Sequence, residues 1–182
     1  MRCWGLAALF VCAVGVDAAS TRRYFAYGAN VDVKTLSLRS GEAPRVISVA
    51  WLDAYELAFS VPGVPFVEPS FATVRPAARS SVCGVLYELS ASGYRRMLLS
   101  EGVPLVYSEK LVDVKTTGGD PLECATLIAT AELPLGIELR PSRRYMQVIL
   151  GGLRAASAAA DSHDSGAARL SLYTKALEAR FI

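Results

Sequence analysis

The sequence contains very little histidine, asparagine or glutamine. Each occurs once among the 182 residues, as His163, Asn30 and Gln147. One His and four Cys leave few ways to assemble a zinc site. The lone His163 lies in a polar stretch that is typical of a surface loop, whereas a catalytic triad needs a histidine held in a fixed position.

A surplus of one charge sign is also missing. Lys and Arg number 19 and Asp and Glu number 17, which leaves a net charge of +2. A dedicated nucleic-acid-binding protein carries a basic surplus, so nucleic acid is not an expected partner. The chain also lacks the glycine-rich loops that bind nucleotides and the Gly-x-Ser-x-Gly turn of serine hydrolases.

The composition that is present is that of a folded domain preceded by an apolar segment. Apolar residues make up 52% of the chain, and 182 residues can bury a sizeable core. Residues 3–16 form an apolar run after Arg2, and Val16-Asp17-Ala18 supplies small residues where signal peptidase cleaves. We therefore predict a signal peptide over 1–18 and a single domain over 19–182, in which 154–182 is a helical C-terminal extension.

The N-terminal segment also predicts the location of the protein. The apolar run is shorter than the roughly 20 residues of a membrane span, which favours the secretory pathway or export. An uncleaved anchor, or a mispredicted start in front of a cytoplasmic protein, is the alternative. Beyond this segment the cysteines are Cys83 and Cys124, each in a predicted strand. We favour two buried thiols, and a disulfide between them is the alternative.

The rest of the chain has a β-rich first part and a helical end. Strands are predicted over 24–27, within 46–60, and over 71–75, 82–89, 107–117 and 122–130, the last two joined by the hairpin signal Gly118-Gly119-Asp120. Helices are predicted over 31–39 with Asn30 as N-cap, from the cap Ser90 to Ser100, over 142–158 with an interruption at Gly151-Gly152, and over 167–181. The proline-containing segments 61–70 and 133–141 are predicted loops.

Two short segments can carry chemistry. The first is Tyr24-Phe25-Ala26-Tyr27-Gly28-Ala29-Asn30, a strand that ends in Gly and leads into a helix. Gly28 allows close approach to the backbone, and N–H groups at a helix start suit a carboxylate or a developing oxyanion. Taken alone, a turn with an Asn cap is the more common explanation of this segment.

The second segment is Ser100-Glu101-Gly102-Val103, at the end of a predicted helix. Apolar neighbours would partly desolvate the Glu101 carboxylate, which favours a role as a base at neutral pH. The alternative is an exposed Glu at a helix end, followed by a Gly C-cap.

Together these segments resemble the γ-glutamylcyclotransferase family (GGCT-like, AIG2-like fold). The resemblance spans roughly residues 23–153 and rests on the Tyr-Phe-Ala-Tyr-Gly-x-Asn loop, Glu101-Gly102, Cys83 to Tyr87 before a helix, Leu111 to Lys115, and Pro141 to Tyr145. It implies an α+β fold, a small mixed β-barrel of about five to seven strands with flanking helices. It also implies an enzyme of the γ-glutamyl cycle in glutathione metabolism that needs no metal and no cofactor.

The resemblance assigns roles to individual residues. The catalytic Glu of the family corresponds to Glu101, which would act as general acid and base while the α-amine attacks its own γ-carbonyl to release 5-oxoproline. The residues Tyr24, Phe25, Ala26, Tyr27, Gly28, Ala29 and Asn30 would hold the glutamyl group. Tyr145 would contact the substrate, and Tyr107 matches another pocket Tyr, although the loop 103–106 is about one residue shorter here.

The substrate class stays partly open. The expected partner is a small γ-glutamyl compound, first a γ-glutamyl-amino acid; a γ-glutamyl-amine or glutathione is the alternative, and a homodimer is left open. The family usually has Ser where this chain has Ala29. If the Ser acts through its N–H, Ala preserves the function. If the Ser hydroxyl matters, Ala29 loses one hydrogen bond, which is worth roughly 0.5–1.5 kcal/mol. The remaining hypothesis is a binding protein on this fold that no longer catalyses the reaction.

Overall fold

The computed structural model describes residues 20–116, 119, 121–134, 137–159 and 165–182. The predicted signal peptide over 1–18 and the single histidine, His163, lie outside these residues. Five strands and four α-helices are present in the described part: β1 Thr21–Ala26, β2 Arg45–Val64, β3 Glu68–Ser90, β4 Tyr107–Thr116, β5 Pro121–Ala129, α1 Val33–Ser40, α2 Ala91–Ser100, α3 Arg143–Ala159 and α4 Ser165–Phe181. No helix within these ranges has the length and apolar character needed to cross a membrane.

The strands form a closed barrel in the order β1-β3-β2-β4-β5. Neighbouring strands are antiparallel except β1 and β5, which close the barrel in parallel where Tyr24 pairs with Ala125. The predicted mixed barrel with flanking helices is thus confirmed. Strand β1 shows how its sequence suits this place, because its polar first half is exposed and its apolar second half is buried.

The long β2–β3 hairpin corrects one prediction from the sequence. The segment 61–70, predicted as a loop, is paired: Val61 lies opposite Phe71 and Val64 opposite Glu68, so the turn is confined to residues 65–67. Pro62 is tolerated because β2 pairs with β4 only at Ala50 and Trp51, which leaves the proline on an edge. The two strands predicted over 71–75 and 82–89 are likewise one continuous strand, β3.

The start of α1 corrects a second prediction. The N-cap is Asp32 rather than Asn30, because the Asp32 carboxylate accepts a hydrogen bond from the Thr35 N–H at 3.0 Å. Asn30 instead lies in a short 3₁₀ helix, Ala29–Val31, that precedes α1. The amide of Asn30 is therefore free to act elsewhere. The other predicted cap is confirmed: Ser90 accepts a hydrogen bond from the Gly93 N–H at 3.0 Å at the start of α2.

Helix α3 runs through Gly151 and Gly152 without the predicted interruption. The glycine pair has a packing role instead. A Cβ on Gly152 would lie 2.6 Å from the Val31 carbonyl oxygen and from the Asp32 nitrogen, whereas one on Gly151 would meet nothing within 4 Å. Gly152 thus lets α3 lie against the 3₁₀ helix, and the close approach helps to fix the loop that contains Asn30.

One continuous core joins the barrel to the helices. Helix α4, in the predicted C-terminal extension, buries Phe181 against Phe59, with ring centroids 4.7 Å apart. Cys83 and Cys124 are buried free thiols, as the favoured interpretation predicted. Burial raises the pKa of each thiol to about 12, so both behave as small apolar side chains.

Candidate active site

A cavity of about 200 Å³ is lined by residues from several separate segments between Tyr24 and Tyr145. Of the ten residues predicted for the site, eight line it: Tyr24, Tyr27, Gly28, Ala29, Asn30, Glu101, Tyr107 and Tyr145. They come from the end of β1, the 3₁₀ helix, the end of α2, the start of β4 and the start of α3. The barrel therefore brings the two sequence segments, 24–30 and 100–103, to one place.

The other two predicted residues, Phe25 and Ala26, do not line the cavity. Both side chains are 0% exposed and belong to the core. Phe25 follows Tyr24 in a strand, where successive side chains point to opposite faces. A contact of these two residues with substrate stays a prediction.

Gly28 lies close to the hydroxyl of Tyr145. A Cβ on Gly28 would be 3.2 Å from that oxygen and 3.4 Å from the Ala72 Cβ. The Ala72 N–H donates to the Tyr145 oxygen at 3.3 Å. Because the Tyr145 oxygen accepts the Ala72 N–H, its own hydrogen can point to a bound ligand.

Glu101 is the C-cap residue of α2, and Gly102 follows it with a φ of 72°. The Gly102 N–H donates to the Leu99 carbonyl and the Val103 N–H to the Leu98 carbonyl, both at 3.1 Å, which is the Schellman arrangement of a helix end. The glycine C-cap predicted as the alternative is therefore present. It does not leave Glu101 in solvent, because only 14% of this side chain is exposed and it lines the cavity.

A polar network holds the Glu101 carboxylate. Its Oε1 accepts a hydrogen bond from Asn30 Nδ2 at 2.8 Å and another from Arg39 Nη1, which also forms an ion pair with it. Arg39 Nη1 donates to Asn30 Oδ1 at 2.7 Å as well, and Asn30 Nδ2 donates to the Tyr24 hydroxyl at 3.0 Å. Within the described part of the chain, Glu101 Oε2 accepts no hydrogen bond, so this oxygen is left for a ligand.

Four tyrosines supply the remaining polar groups. The Tyr107 hydroxyl donates to the Ala72 carbonyl at 3.0 Å, and the Tyr27 hydroxyl donates to the Leu127 carbonyl. Burial raises the pKa of Tyr145 to about 12 and raises the pKa values of Tyr24, Tyr27 and Tyr107 further above their ordinary value. All four hydroxyls are therefore neutral at physiological pH. Among the described residues, no group of three His, Cys, Asp or Glu side chains is placed to hold a metal ion.

The sequence analysis missed five residues that line the cavity: Arg39, Phe71, Ala72, Val106 and Leu127. A sixth, Ser100, belongs to the second candidate segment but was given no role. Arg39 was placed at the end of a predicted helix, where a basic residue has an ordinary explanation. Phe71 and Ala72 border the segment that was mistaken for a loop. Spacing along one sequence does not distinguish these residues from other core or helix-end positions.

The sequence is similar to several known proteins. The model of the AIG2-like family matches residues 81–163. The γ-glutamyl cyclotransferase gliK of Aspergillus fumigatus is 33% identical over 153 residues, covering 72% of this chain and 56% of that protein. The γ-glutamyl cyclotransferase verK of Clonostachys rogersoniana is 28% identical over 151 residues, covering 70% of this chain and 83% of that protein.

Solved structures share the fold. A γ-glutamyl cyclotransferase superposes with a TM-score of 0.72 at 22% identity, covering 88% of each chain. The uncharacterized human protein loc79017 gives a TM-score of 0.71 at 23% identity, covering 87% of each chain. In sequence, the chain spans about half the length of gliK and of the similar aclK of Aspergillus oryzae. The barrel, the family model over residues 81–163 and these relatives all support the resemblance to the γ-glutamylcyclotransferase family.

Proposed function

We propose that this protein is a γ-glutamylcyclotransferase that converts γ-glutamyl-amino acids to 5-oxoproline and a free amino acid. The observation that carries the proposal is that only one oxygen of the Glu101 carboxylate, Oε1, is hydrogen-bonded to described residues. Its Oε1 is held by Asn30 and Arg39 while its Oε2 is free of protein donors in the described chain. A carboxylate fixed in this way inside a cavity is suited to accept a proton from a bound amine. The names of gliK, aclK and verK support the same reaction.

The reaction begins when Glu101 removes a proton from the α-ammonium group of the substrate. The neutral amine then attacks its own γ-carbonyl carbon, and a C–N bond forms as the carbonyl oxygen becomes an oxyanion. Protonated Glu101 gives its proton to the nitrogen of the leaving amino acid, and the original amide C–N bond breaks. Glu101 then moves a second proton from the ring nitrogen to the released amine and returns to its starting form.

The main task of the protein is to hold the substrate in the conformation in which its amine and its γ-carbonyl meet. Because the nucleophile and the electrophile belong to one molecule, correct alignment can lower the barrier by on the order of 7–11 kcal/mol. A cavity of about 200 Å³ favours a compact glutamyl group over an extended one. The Tyr145 hydroxyl can donate to the oxyanion, since its oxygen already accepts the Ala72 N–H.

The proposal is tested by measuring 5-oxoproline release from γ-glutamyl-alanine by the wild type and by Glu101→Gln. We expect release by the wild type and a loss of about 10²–10⁴-fold in the variant, because glutamine cannot accept the proton. Glu123→Gln is the matched control, since Glu123 is an exposed glutamate of β5 that does not line the cavity. Full activity in Glu101→Gln would refute the role of Glu101.

The other donor classes are outcomes of the same assay. A γ-glutamyl-amine and glutathione are offered beside γ-glutamyl-alanine, and the substrate with the highest kcat/KM identifies the leaving group. Thermal stabilisation by all three without any release of 5-oxoproline would instead identify a binding protein.

A further inference from the structure

Arg39 contributes the one cationic side chain to the cavity wall in the described part of the chain. It comes from the last turn of α1, and 31% of its side chain is exposed. The reaction proposed above gives this cation no part in proton transfer. Its position beside Glu101 nevertheless places opposite charges next to each other in one cavity.

The guanidinium of Arg39 is only partly engaged. Its Nη1 donates hydrogen bonds to Glu101 Oε1 and to Asn30 Oδ1. Its Nε and Nη2 donate to no described residue. A guanidinium has five N–H donors and binds a carboxylate through two parallel hydrogen bonds, so the unused side of Arg39 has the shape and the charge to take one.

The substrate of the proposed reaction has matching charges at one carbon. The α-carbon of a γ-glutamyl group carries an ammonium group and a carboxylate together. Glu101 Oε2 has to meet the ammonium group, and Arg39 directly contacts Glu101. The carboxylate on the same carbon then lies within reach of the arginine.

We propose, on the basis of the proposed function, that Arg39 binds the α-carboxylate of the substrate through its Nε and Nη2 donors. Glu101 and Arg39 together then recognise a free α-amino acid end, with one charge of each sign. Without Arg39, the substrate carboxylate would lie next to the Glu101 carboxylate and be repelled by it. The structure thus selects γ-glutamyl compounds whose α-amine and α-carboxylate are both unmodified.

This assignment also separates two roles that the sequence left open for the loop at Gly28 and Ala29. With the α-carboxylate on Arg39, the backbone of this loop and the Tyr145 hydroxyl are left for the γ-carbonyl oxygen. The site then has a charged end at Glu101 and Arg39 and a neutral hydrogen-bonding end around Ala72 and Tyr145.

The experiment pairs enzyme variants with two substrates. One substrate is γ-glutamyl-alanine, and the other is its analogue in which an amide replaces the α-carboxylate of the glutamyl residue. For the wild type we expect kcat/KM to be about 10- to 100-fold lower with the amide, the range for a hydrogen bond to a charged group. Arg39→Gln should slow both substrates, because it also removes a donor from Glu101 Oε1, but the carboxylate substrate should lose about 10- to 100-fold more than the amide, so that the preference disappears.

Two further variants serve as controls. Arg39→Lys keeps the charge without the paired donors and should retain part of the preference. Arg95→Gln, an exposed arginine of α2 outside the cavity, should behave as the wild type. Calorimetric binding of 5-oxoproline against 2-pyrrolidinone, which lacks the carboxylate, gives the same comparison without turnover. We expect the wild type, but not Arg39→Gln, to prefer 5-oxoproline.

The outcomes distinguish the two proposals. If Arg39→Gln slows both substrates equally, Arg39 only positions Glu101 and the binding role is refuted. An unchanged preference in Arg39→Gln also refutes it. If the wild type releases no 5-oxoproline from γ-glutamyl-alanine, the proposed function itself fails and the role of Arg39 fails with it, a result visible before any variant is compared.

Discussion

Asn30 Nδ2 lies 2.8 Å from Glu101 Oε1, although 71 positions separate the two residues in the chain. The same amide nitrogen donates to the Tyr24 hydroxyl at 3.0 Å, and the amide oxygen accepts from Arg39 at 2.7 Å. Asn30 is the only asparagine in the protein, and all of these contacts are inside or beside the cavity. It connects the loop after β1 to the carboxylate at the end of α2.

Replacing Asn30 tests this connection. Asn30→Ala removes a donor from Glu101, so we expect kcat to fall by about 10- to 100-fold while the fold is retained. Asn30→Asp should be worse, because it places a second carboxylate against Glu101. The measurement is steady-state release of 5-oxoproline, with circular dichroism as the control for folding. Equal activity of the two variants would contradict the electrostatic explanation.

The adjacent glycines of α3 make a matched pair. Gly152→Ala pushes a methyl group against the backbone of Val31 and Asp32, where a Cβ would be 2.6 Å from several backbone atoms. We expect the free energy of unfolding to fall by about 1–3 kcal/mol. Gly151→Ala, which adds a methyl group in open space, should stabilise the helix by roughly 0.5–1 kcal/mol. Urea denaturation of both variants checks this, and equal effects would show that Gly152 has no packing role.

The end of α4 should contribute to stability through Phe181. This side chain is 6% exposed and packs edge-to-face on Phe59, which in turn lies 6.3 Å from the Tyr145 ring. We expect Phe181→Ala to cost about 3 kcal/mol of unfolding free energy. Leu172→Ala on the exposed side of the same helix should change it by about 0.5 kcal/mol or less. Thermal or urea denaturation gives the comparison, and a cost below 1 kcal/mol for Phe181→Ala would refute this packing.

Tyr145 should act as a neutral donor over the whole working pH range. Burial raises its pKa to about 12, so the hydroxyl keeps its proton as the pH rises from 6 to 10. Tyr145→Phe removes the donor, and we expect lower kcat/KM at every pH without a change in the shape of the pH profile. An alkaline decline in the wild type that Tyr145→Phe abolishes would show instead that this hydroxyl ionises during catalysis.

The ordinary local rules were enough to predict both ends of α2 and the pairing of β4 with β5 from the sequence. Ser90 caps α2, Gly102 ends it, and β4 and β5 pair across the predicted turn. These features depend on residues a few positions apart, whose backbone geometry and hydrogen bonds act locally. The same rules failed for 61–70, because pairing with a long partner strand outweighed the local preference of its prolines.

The amino-acid sequence by itself determined the candidate catalytic residue and its loop only through the family resemblance, which the contiguous patterns Glu101-Gly102 and Tyr-Gly-Ala-Asn carry. Only the tertiary structure decided that Asn30 bonds to Glu101 rather than capping α1, and that Arg39 joins them. Barrel closure and the packing of α3 on the 3₁₀ helix set these distances. Such contacts between distant segments depend on how the whole core packs. The spacing of residues along one chain does not predict that packing.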